Sequence, residues 1–422
     1  MPRRGVPLDG TLLDAFGFAA VIRILFLSPR QCWPPLSGAK LREYFLAQAL
    51  GRHAALTHVF FSPAGSGAPT SADLPFCQRI VPVPAPRHYT PEKIVRGFLG
   101  RWPLPVVNYT SRQMKAAVAA LVAQEQFDLV QIDSIHMAAY VPVLSRGSRA
   151  PVVYDWHNIE SEAMRRYSAS VKSPIHRLYS AVTARRLAAL EARTLRQAFG
   201  HLVCSERERA ELHRVAPDAR VAVIENGVDT RFFEDGAGFS TSRRRIVFVG
   251  SMSYHANVEA AVSFARGVWP LIRERFPLWR LTLVGSDPAP AVRALGREPN
   301  VEVTGTVADV RPYYREALAV IAPLRIGGGT RLKILEAMAA GVPVVSTTLG
   351  AEGLAVSPDV NILIADQDED WLLWLAALSC QSDFWNGLAS AGRELVRSRY
   401  DWEVLGQSLW ETYCGWLDLA RP

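Results

Sequence analysis

Gly327, Gly328 and Gly329 stand directly before Thr330, Arg331 and Lys333, and Glu336 follows three residues later. Three glycines let the backbone turn at positive φ and aim several N–H groups at one point, and Thr330 is placed to cap a following helix. Such a point attracts anions. Arg331 and Lys333 put two cations in the first helical turn, where the helix dipole disfavours them unless something negative sits there to be neutralised. A diphosphate meets that need. Glu336 lies one turn further along the same side, where its carboxylate can accept hydrogen bonds from both hydroxyls of a ribose. Leu332, Leu335 and Ala339 make the apolar side, Gly341 ends the helix, and VPVVS reads as a buried parallel strand. Taken singly, each of these residues also fits an ordinary loop, helix and strand whose Arg, Lys and Glu face water.

The elements that must hold this segment follow from the rest of the chain. Its 422 residues favour two or three domains, and 49% hydrophobic content is ample for sizeable cores. Short apolar runs alternate with helical stretches, the pattern of parallel sheets covered on both faces. IRILFLS, LTHVFFS, FDLVQID, APVVYDW and GHLVCS read as strands of one half, with helices over Gly38 to Leu50, Ser111 to Gln124 and Ser173 to Gln197. After a charged, glycine-bearing stretch the alternation restarts with RIVFVGS, LTLVGS, VEVTG, LAVIAPL and VPVVST. The fold class is therefore α/β, with two doubly wound, Rossmann-like domains facing a central cleft. The expected organisation is an extension over 1–20, a first domain over 21–235, a second over 243–400, and a Trp-rich helix over 401–422. Five scattered cysteines without metal-ligand spacing point to a reducing cytoplasm. No uncharged apolar run reaches membrane-spanning length.

The segment with Glu336-Ala-Met-Ala339 after a glycine turn resembles the donor site of family 4 glycosyltransferases of the GT-B fold. That resemblance extends over most of the chain beyond the first twenty residues. It implies a nucleoside-diphosphate sugar as co-substrate, no other cofactor and no metal, and it makes Glu336 the ribose ligand. The family's other motif glutamate falls on Gly328 here, so no carboxylate stands there for the donor sugar's hydroxyls. The run Glu225 to Asp229 is similar to the family's link between domains, and the C-terminal helix is implied to cross back to the first domain. PPLSGAK resembles the glycine loop near the donor phosphate and sugar, which singles out Gly38. His157, just past a strand end in YDWHNIES, matches a histidine that reaches the donor sugar; a satisfied or surface histidine is the plain alternative. Gly250 follows a strand and suits phosphate contact, and the surroundings of Val307 are implied to read the nucleobase. An Arg and a Lys-Gly common after that strand in the family are missing, which leaves the cationic work to Arg331 and Lys333. Asp133 and His136, after another strand, are placed to face the cleft and accept acceptor hydroxyls.

Breaking a glycosidic bond to a diphosphate calls for cations and oriented amides more than for a nucleophile, and no P-loop, G-x-S-x-G or H-E-x-x-H pattern competes. The resemblance implies a retaining enzyme in which a donor phosphate oxygen takes the acceptor's proton. The formal charge of +7 and pI near 9.3 suit anionic partners. Nucleic acid is not among them, because no basic run carries a reading module. Instead Arg87, Lys93, Arg96, Arg101, Arg112 and Lys115 gather with Phe98, Leu99, Trp102 and Tyr109 against one acid, Glu92. That mixture suits an anionic membrane surface, a glycan or polyprenyl- or other lipid-linked acceptor, and a cytoplasmic enzyme of exopolysaccharide or lipopolysaccharide assembly at the inner face of the membrane. A plain exposed loop is the alternative there. The acidic run Asp366 to Asp370 reads as a solvated loop. Two other functions stay open from the residues alone: a sugar-nucleotide epimerase of similar build, and a sugar-nucleotide-binding protein without catalysis.

Overall fold

The computed structural model describes residues 21–63, 65, 67–170, 173–234, 243–326 and 331–418. The 1–20 extension and the turn Gly327, Gly328, Gly329 and Thr330 lie outside the described residues. The first domain holds strands β1 (Arg23–Ser28), β2 (Ala55–Ser62), β3 (Arg79–Pro84), β4 (Leu129–Asp133), β5 (Val152–Trp156), β6 (Gly200–Val203) and β7 (Val221–Val223). They form one parallel sheet in the order β3-β2-β1-β4-β5-β6-β7. Its helices are α1 (Gly38–Gly51), α2 (Pro91–Leu99), α3 (Leu104–Asn108), α4 (Arg112–Gln124), α5 (Val141–Gly147), α6 (Glu160–Ser170), α7 (Pro174–Gln197) and α8 (Glu206–Val215). Apolar clusters fill both sides of this sheet, one around Val130 and Trp156 and one around Phe26 and Leu202. Covered on both faces, its central strands read as near-continuous apolar runs. β3 escapes a sequence reading because Pro82 and Pro84 interrupt RIVPVP, and prolines are tolerated there because β3 is an edge strand.

The second domain repeats the plan with β8 (Arg245–Val249), β9 (Arg280–Val284), β10 (Val301–Gly305), β11 (Ala317–Ala322), β12 (Val344–Ser346) and β13 (Leu363–Ile364). The order is β10-β9-β8-β11-β12-β13, again parallel. Around it lie α9 (His255–Ser263), α10 (Trp269–Arg275), α11 (Pro290–Leu295), α12 (Arg311–Glu316), α13 (Leu332–Ala339), α14 (Asp368–Cys380) and α15 (Ser382–Leu395). The run Asp366 to Asp370 is not merely solvated. Asp370 and Gln367 close a capping box on α14, and Asp366 accepts from the backbone and hydroxyl of Thr348. In both sheets the strand order reverses beside the first strand, at β1/β4 and at β8/β11. The crevices that bind ligands open at the carboxyl ends of such pairs.

Two stretches of chain pass between the domains side by side. The Val228 amide donates to Tyr400 O at 2.8 Å, the Trp402 amide returns to Val228 O at 3.3 Å, and Thr230 donates to Asp401. α16 (Trp402–Leu417) then lies on α1 of the first domain. Trp402 stacks on Phe45 at 5.2 Å, Trp410 on His53 at 4.8 Å, and the Tyr413 hydroxyl donates to Gln131 at 2.6 Å. The helices approach so closely that a Cβ on Gly406 would sit 2.6 Å from Ala49 Cβ. Gly406→Val is therefore expected to lower stability by about 1–3 kcal/mol through overpacking, measured by urea unfolding, with Ala49→Gly in the same chain restoring part of the loss.

Candidate active site

The second domain contributes a cation and an acid set in partly apolar surroundings. α13 starts at Leu332, and Arg331, with φ −88° and ψ 38°, occupies its N-cap position without a side-chain cap. The cap expected of Thr330 lies outside the described residues. The Lys333 ammonium donates to Asn257 Oδ1 at 2.8 Å and lies 4.7 Å over the Phe248 ring. Burial, with Arg331 alongside, lowers its pKa to about 7, against the pull of Glu336. Asn257 in turn donates to Ser251 O at 2.9 Å, and its amide nitrogen would be 2.7 Å from a Cβ on Gly250. Gly250 is therefore the residue that leaves room for the amide orienting Lys333. Glu336 accepts from the Tyr314 hydroxyl at 2.7 Å, and burial pushes its carboxyl up against the opposing effects of Tyr314 and Lys333. Arg331 is buried, donates to Leu349 O at 2.7 Å, and keeps an Nε with no hydrogen-bond partner. A buried guanidinium N–H without an acceptor at the start of a helix is suited to an anion. Val307 is half-buried just beyond β10, packed against the core that carries α13.

The first domain contributes a buried ion cluster at the carboxyl ends of β4 and β5. Arg42, on α1, grips Asp155 with Nε at 2.8 Å and Nη2 at 2.8 Å, while Nη1 donates to Ile224 O at 2.7 Å and Glu225 O at 3.1 Å. His157 Nε2 lies 3.8 Å from Asp133 and 3.9 Å from Asp155, and its side chain keeps 10% exposure where Asp133 keeps 1%. Burial alone would lower the His157 pKa, but Asp133, Asp155 and Glu43 together raise it above the ordinary value. Both Glu43 oxygens are buried without a hydrogen-bond partner, 3.6 Å from Arg30 at the nearest charge, and burial pushes this carboxyl to about 8. Asp133, Asp155, Glu43, Arg42 and His157 thus gather acids and bases in one buried cluster. These acids favour the charged form of the His157 ring, which keeps a little exposure at the edge of the cleft. Glu43, Asp133 and His157 also each offer one ligand atom within 4.8 Å of the others, a set of two carboxylates and an imidazole that fits a divalent cation.

The remaining candidates are placed less directly. Asp133 is fully buried and faces His157, so it acts on that ring rather than on an acceptor hydroxyl. His136 is half-buried 2.6 Å from Ser134 Oγ, and burial together with Arg30 and His157 lowers its pKa to about 4, leaving it neutral. Gly38 is the first residue of α1, directly after the loop that follows β1. Arg42, Glu43, Asn257 and Tyr314 carry the site's geometry but gave no sequence signal. Charged Arg42-Glu43 on a helix reads as a solvent face, and only the flanking Leu41, Tyr44 and Phe45 hint otherwise.

Two outcomes follow. Lys333 has a folded pKa near 7 against 10.5 unfolded, so the unfolded chain binds more protons between those values and this group makes stability rise with pH across that window. An anion beside it reverses the shift. Nucleotide binding at pH 8 is expected to take up close to one proton, read from binding enthalpies in buffers of different ionisation enthalpy, and Lys333→Met is expected to abolish the uptake. Arg42→Ala leaves Asp155 buried and unpaired, an expected cost of about 3–5 kcal/mol in urea unfolding, with Asp155→Asn in the same chain recovering part of it.

Residues 38–232 match the family described as Glycosyltransferase Family 4, and residues 243–376 match Glycosyl transferases group 1. The chain is similar to GDP-mannose:cellobiosyl-diphosphopolyprenol alpha-mannosyltransferase of Komagataeibacter xylinus, 29% identical over 54% of this chain and 59% of that protein. It is also similar to a GDP-mannose-dependent monoacylated alpha-(1-6)-phosphatidylinositol monomannoside mannosyltransferase of Corynebacterium glutamicum, 28% identical over 31% of this chain and 34% of that one. These matches span between a third and three fifths of the curated relatives' lengths. Among solved structures, sucrose-phosphate synthase from Thermosynechococcus elongatus superposes with a TM-score of 0.67 at 17% identity, covering 93% of this chain and 98% of that one. The Anabaena protein HepE in complex with UDP-glucose superposes at 0.62 with 18% identity, covering 93% and 100%. With the two family matches side by side along one chain and a Rossmann-like sheet in each, this chain belongs to the family 4 glycosyltransferases of the GT-B fold.

Proposed function

We propose that this chain is a retaining glycosyltransferase that moves a sugar from a nucleoside-diphosphate sugar to a glycan or lipid-linked acceptor in the synthesis of bacterial cell-surface polysaccharide. The observation that carries the reading is the pairing, on one turn of α13, of Lys333 held by Asn257 and Glu336 held by Tyr314. The cation suits a leaving diphosphate and the carboxylate suits a ribose, with Arg331 adding a second positive group. His157, whose charged form the surrounding acids favour, is the group offered to the sugar from the opposite domain. Charge stabilisation by Lys333, Arg331 and backbone amides needs no metal, and the transfer is read as metal-independent. The same-face route, in which the donor's own phosphate oxygen takes the acceptor proton, asks for no enzymic nucleophile, and none is assigned here.

The names of the two curated relatives point to GDP-mannose as donor, and to a polyprenol diphosphate or an acylated phosphoinositide as acceptor. For this chain they put GDP first among the nucleotides to try and a lipid-linked acceptor first among acceptors. No helix among the described residues is long and apolar enough to cross a membrane, so such an acceptor is to be met by a peripheral contact. The basic, aromatic stretch 87–115 is the proposed surface, with the enzyme at the inner face of the cytoplasmic membrane. Its residues divide their work. Lys93 donates to Asn108 O at 2.7 Å, and Trp102 and Tyr109 pack on the domain core, while Ile94, Val95, Phe98 and Leu99 stay exposed.

Calorimetric titration with GDP, UDP and ADP tests the donor site. One of them is expected to bind with micromolar affinity, weakened about ten- to hundredfold in Glu336→Ala, the loss of about 1.5–3 kcal/mol from charged hydrogen bonds. No binding of any nucleotide would remove the reading. Transfer is expected to be unchanged by EDTA; loss of transfer restored by manganese would instead assign Glu43, Asp133 and His157 to a divalent cation.

A further inference from the structure

Large apolar side chains are left exposed on two helices that touch. Val95 and Leu99 of α2 are 56% and 85% exposed, and Ile175 and Leu178 of α7 are 78% and 68% exposed. Single exposed apolar residues are common on soluble proteins, but these belong to one face. Arg186 of α7 donates to the carbonyls of Gly97, Phe98 and Gly100 at the end of α2, and the Phe98 ring meets Tyr179 edge-on at 5.7 Å. Ile175 and Leu178 lie within the turn that precedes Tyr179, so the apolar side chains of α2 continue onto α7. Beside them α6 and α7 enclose a hollow of about 350 Å3 lined by Arg165, Ser168, Ala181, Ala184, Arg185 and Ala188. Three alanines and two arginines are among the residues that line it. Arg96, Arg101 and Arg177 are exposed around the same face, whereas Glu162 of α6 is taken up by Arg166 and Arg207. Apolar groups ringed by arginines match a bilayer with anionic headgroups, which offers hydrocarbon and phosphate at adjacent depths.

We propose that α6 and α7 join α2 in a single docking face for an anionic bilayer, with Ile175 and Leu178 entering the acyl boundary and the Arg165–Arg185 hollow receiving a headgroup phosphate. This rests on the peripheral-membrane reading above and extends it to two helices that the 87–115 stretch does not contain. The face borders the cleft. Arg166, the neighbour of Arg165 on α6, is near enough to Arg331 for the two charges to repel. On the other side Tyr109, at the end of α3, packs against His136 at 5.0 Å. A bilayer seated there presents a lipid-linked acceptor between these two points.

Flotation of the full chain with phosphatidylcholine vesicles, with and without phosphatidylglycerol, at low and physiological salt, tests the proposal. Wild-type protein is expected to float with the anionic vesicles only, and less at higher salt. Ile175→Glu with Leu178→Glu is expected to weaken that binding by at least roughly tenfold, and Arg165→Glu with Arg185→Glu to remove the preference for anionic lipid. Nucleotide binding should stay unchanged in both, which shows that they fold. If the α7 pair floats like wild type while Val95→Glu with Leu99→Glu does not, the α6–α7 face is overturned and the contact through 87–115 stands. If wild-type protein floats with neither vesicle, the peripheral reading is overturned with it.

Discussion

The Arg42 guanidinium, buried between α1, the end of β5 and the chain leaving β7, is the interaction on which the rest of the molecule depends. A charge taken fully out of water is costly unless every donor finds an acceptor. Here two nitrogens hold the Asp155 carboxylate and a third holds the carbonyls of Ile224 and Glu225. The same side chain thereby fixes the carboxylate that faces His157 and the start of the connector to the second domain. Glu225 is gripped from outside by Arg399 at 3.0 Å, in the helical turn that leads into the returning chain of the crossing. The histidine of the cleft meets this point through Asp155, 3.9 Å from its Nε2.

The two halves of the cleft use opposite electrostatics. The first domain gathers acids around His157 and raises its pKa, which favours the charged ring. The second buries Lys333 and lowers its pKa to about 7, which leaves an amine ready to be recharged by an anion. Burial lowers the pKa in both; around His157 the neighbouring carboxyls reverse the sign, and beside Lys333 the Arg331 charge adds to it. Under the proposed function, the diphosphate of the donor is to meet the second of these groups and its neutral sugar the first. The close approach of the loops after β8 and β9, where a Cβ on Gly285 would sit 1.7 Å from Gly250 O, leaves the Asn257 amide as the group that orients the cation.

Much of this was legible in sequence because burial writes itself into apolar runs. The strands of both sheet centres, the helices over 38–50, 111–124 and 173–197, and the two-domain plan follow from alternation alone. β3 and β13 were not readable, one interrupted by prolines at an edge, the other only two residues long. Gly250, Lys333, Glu336 and His157 stand out because a glycine, cation, acid or histidine at a strand or helix end has few structural uses. Arg42 and Glu43 do not, since a charged pair on a helix ordinarily marks its wet side and nothing local says that a β7 carbonyl will cover it. The stretch 87–115 shows the same limit. Composition gathered its aromatics and cations, but only packing separates Trp102 and Tyr109, turned inward, from Val95 and Leu99, turned out.

The central claim is that the cleft cleaves a nucleoside-diphosphate sugar and keeps its anomeric configuration. The direct measurement is to incubate the protein with GDP- and UDP-sugars and bacterial lipid extract, follow nucleoside diphosphate release, and read the new linkage by proton NMR. Release from one donor, lost in Lys333→Met and reduced in His157→Ala, with an α-linked product from an α-configured donor, is the predicted result. A β-linked product from that donor, or tight nucleotide binding with no release from any donor, would contradict it.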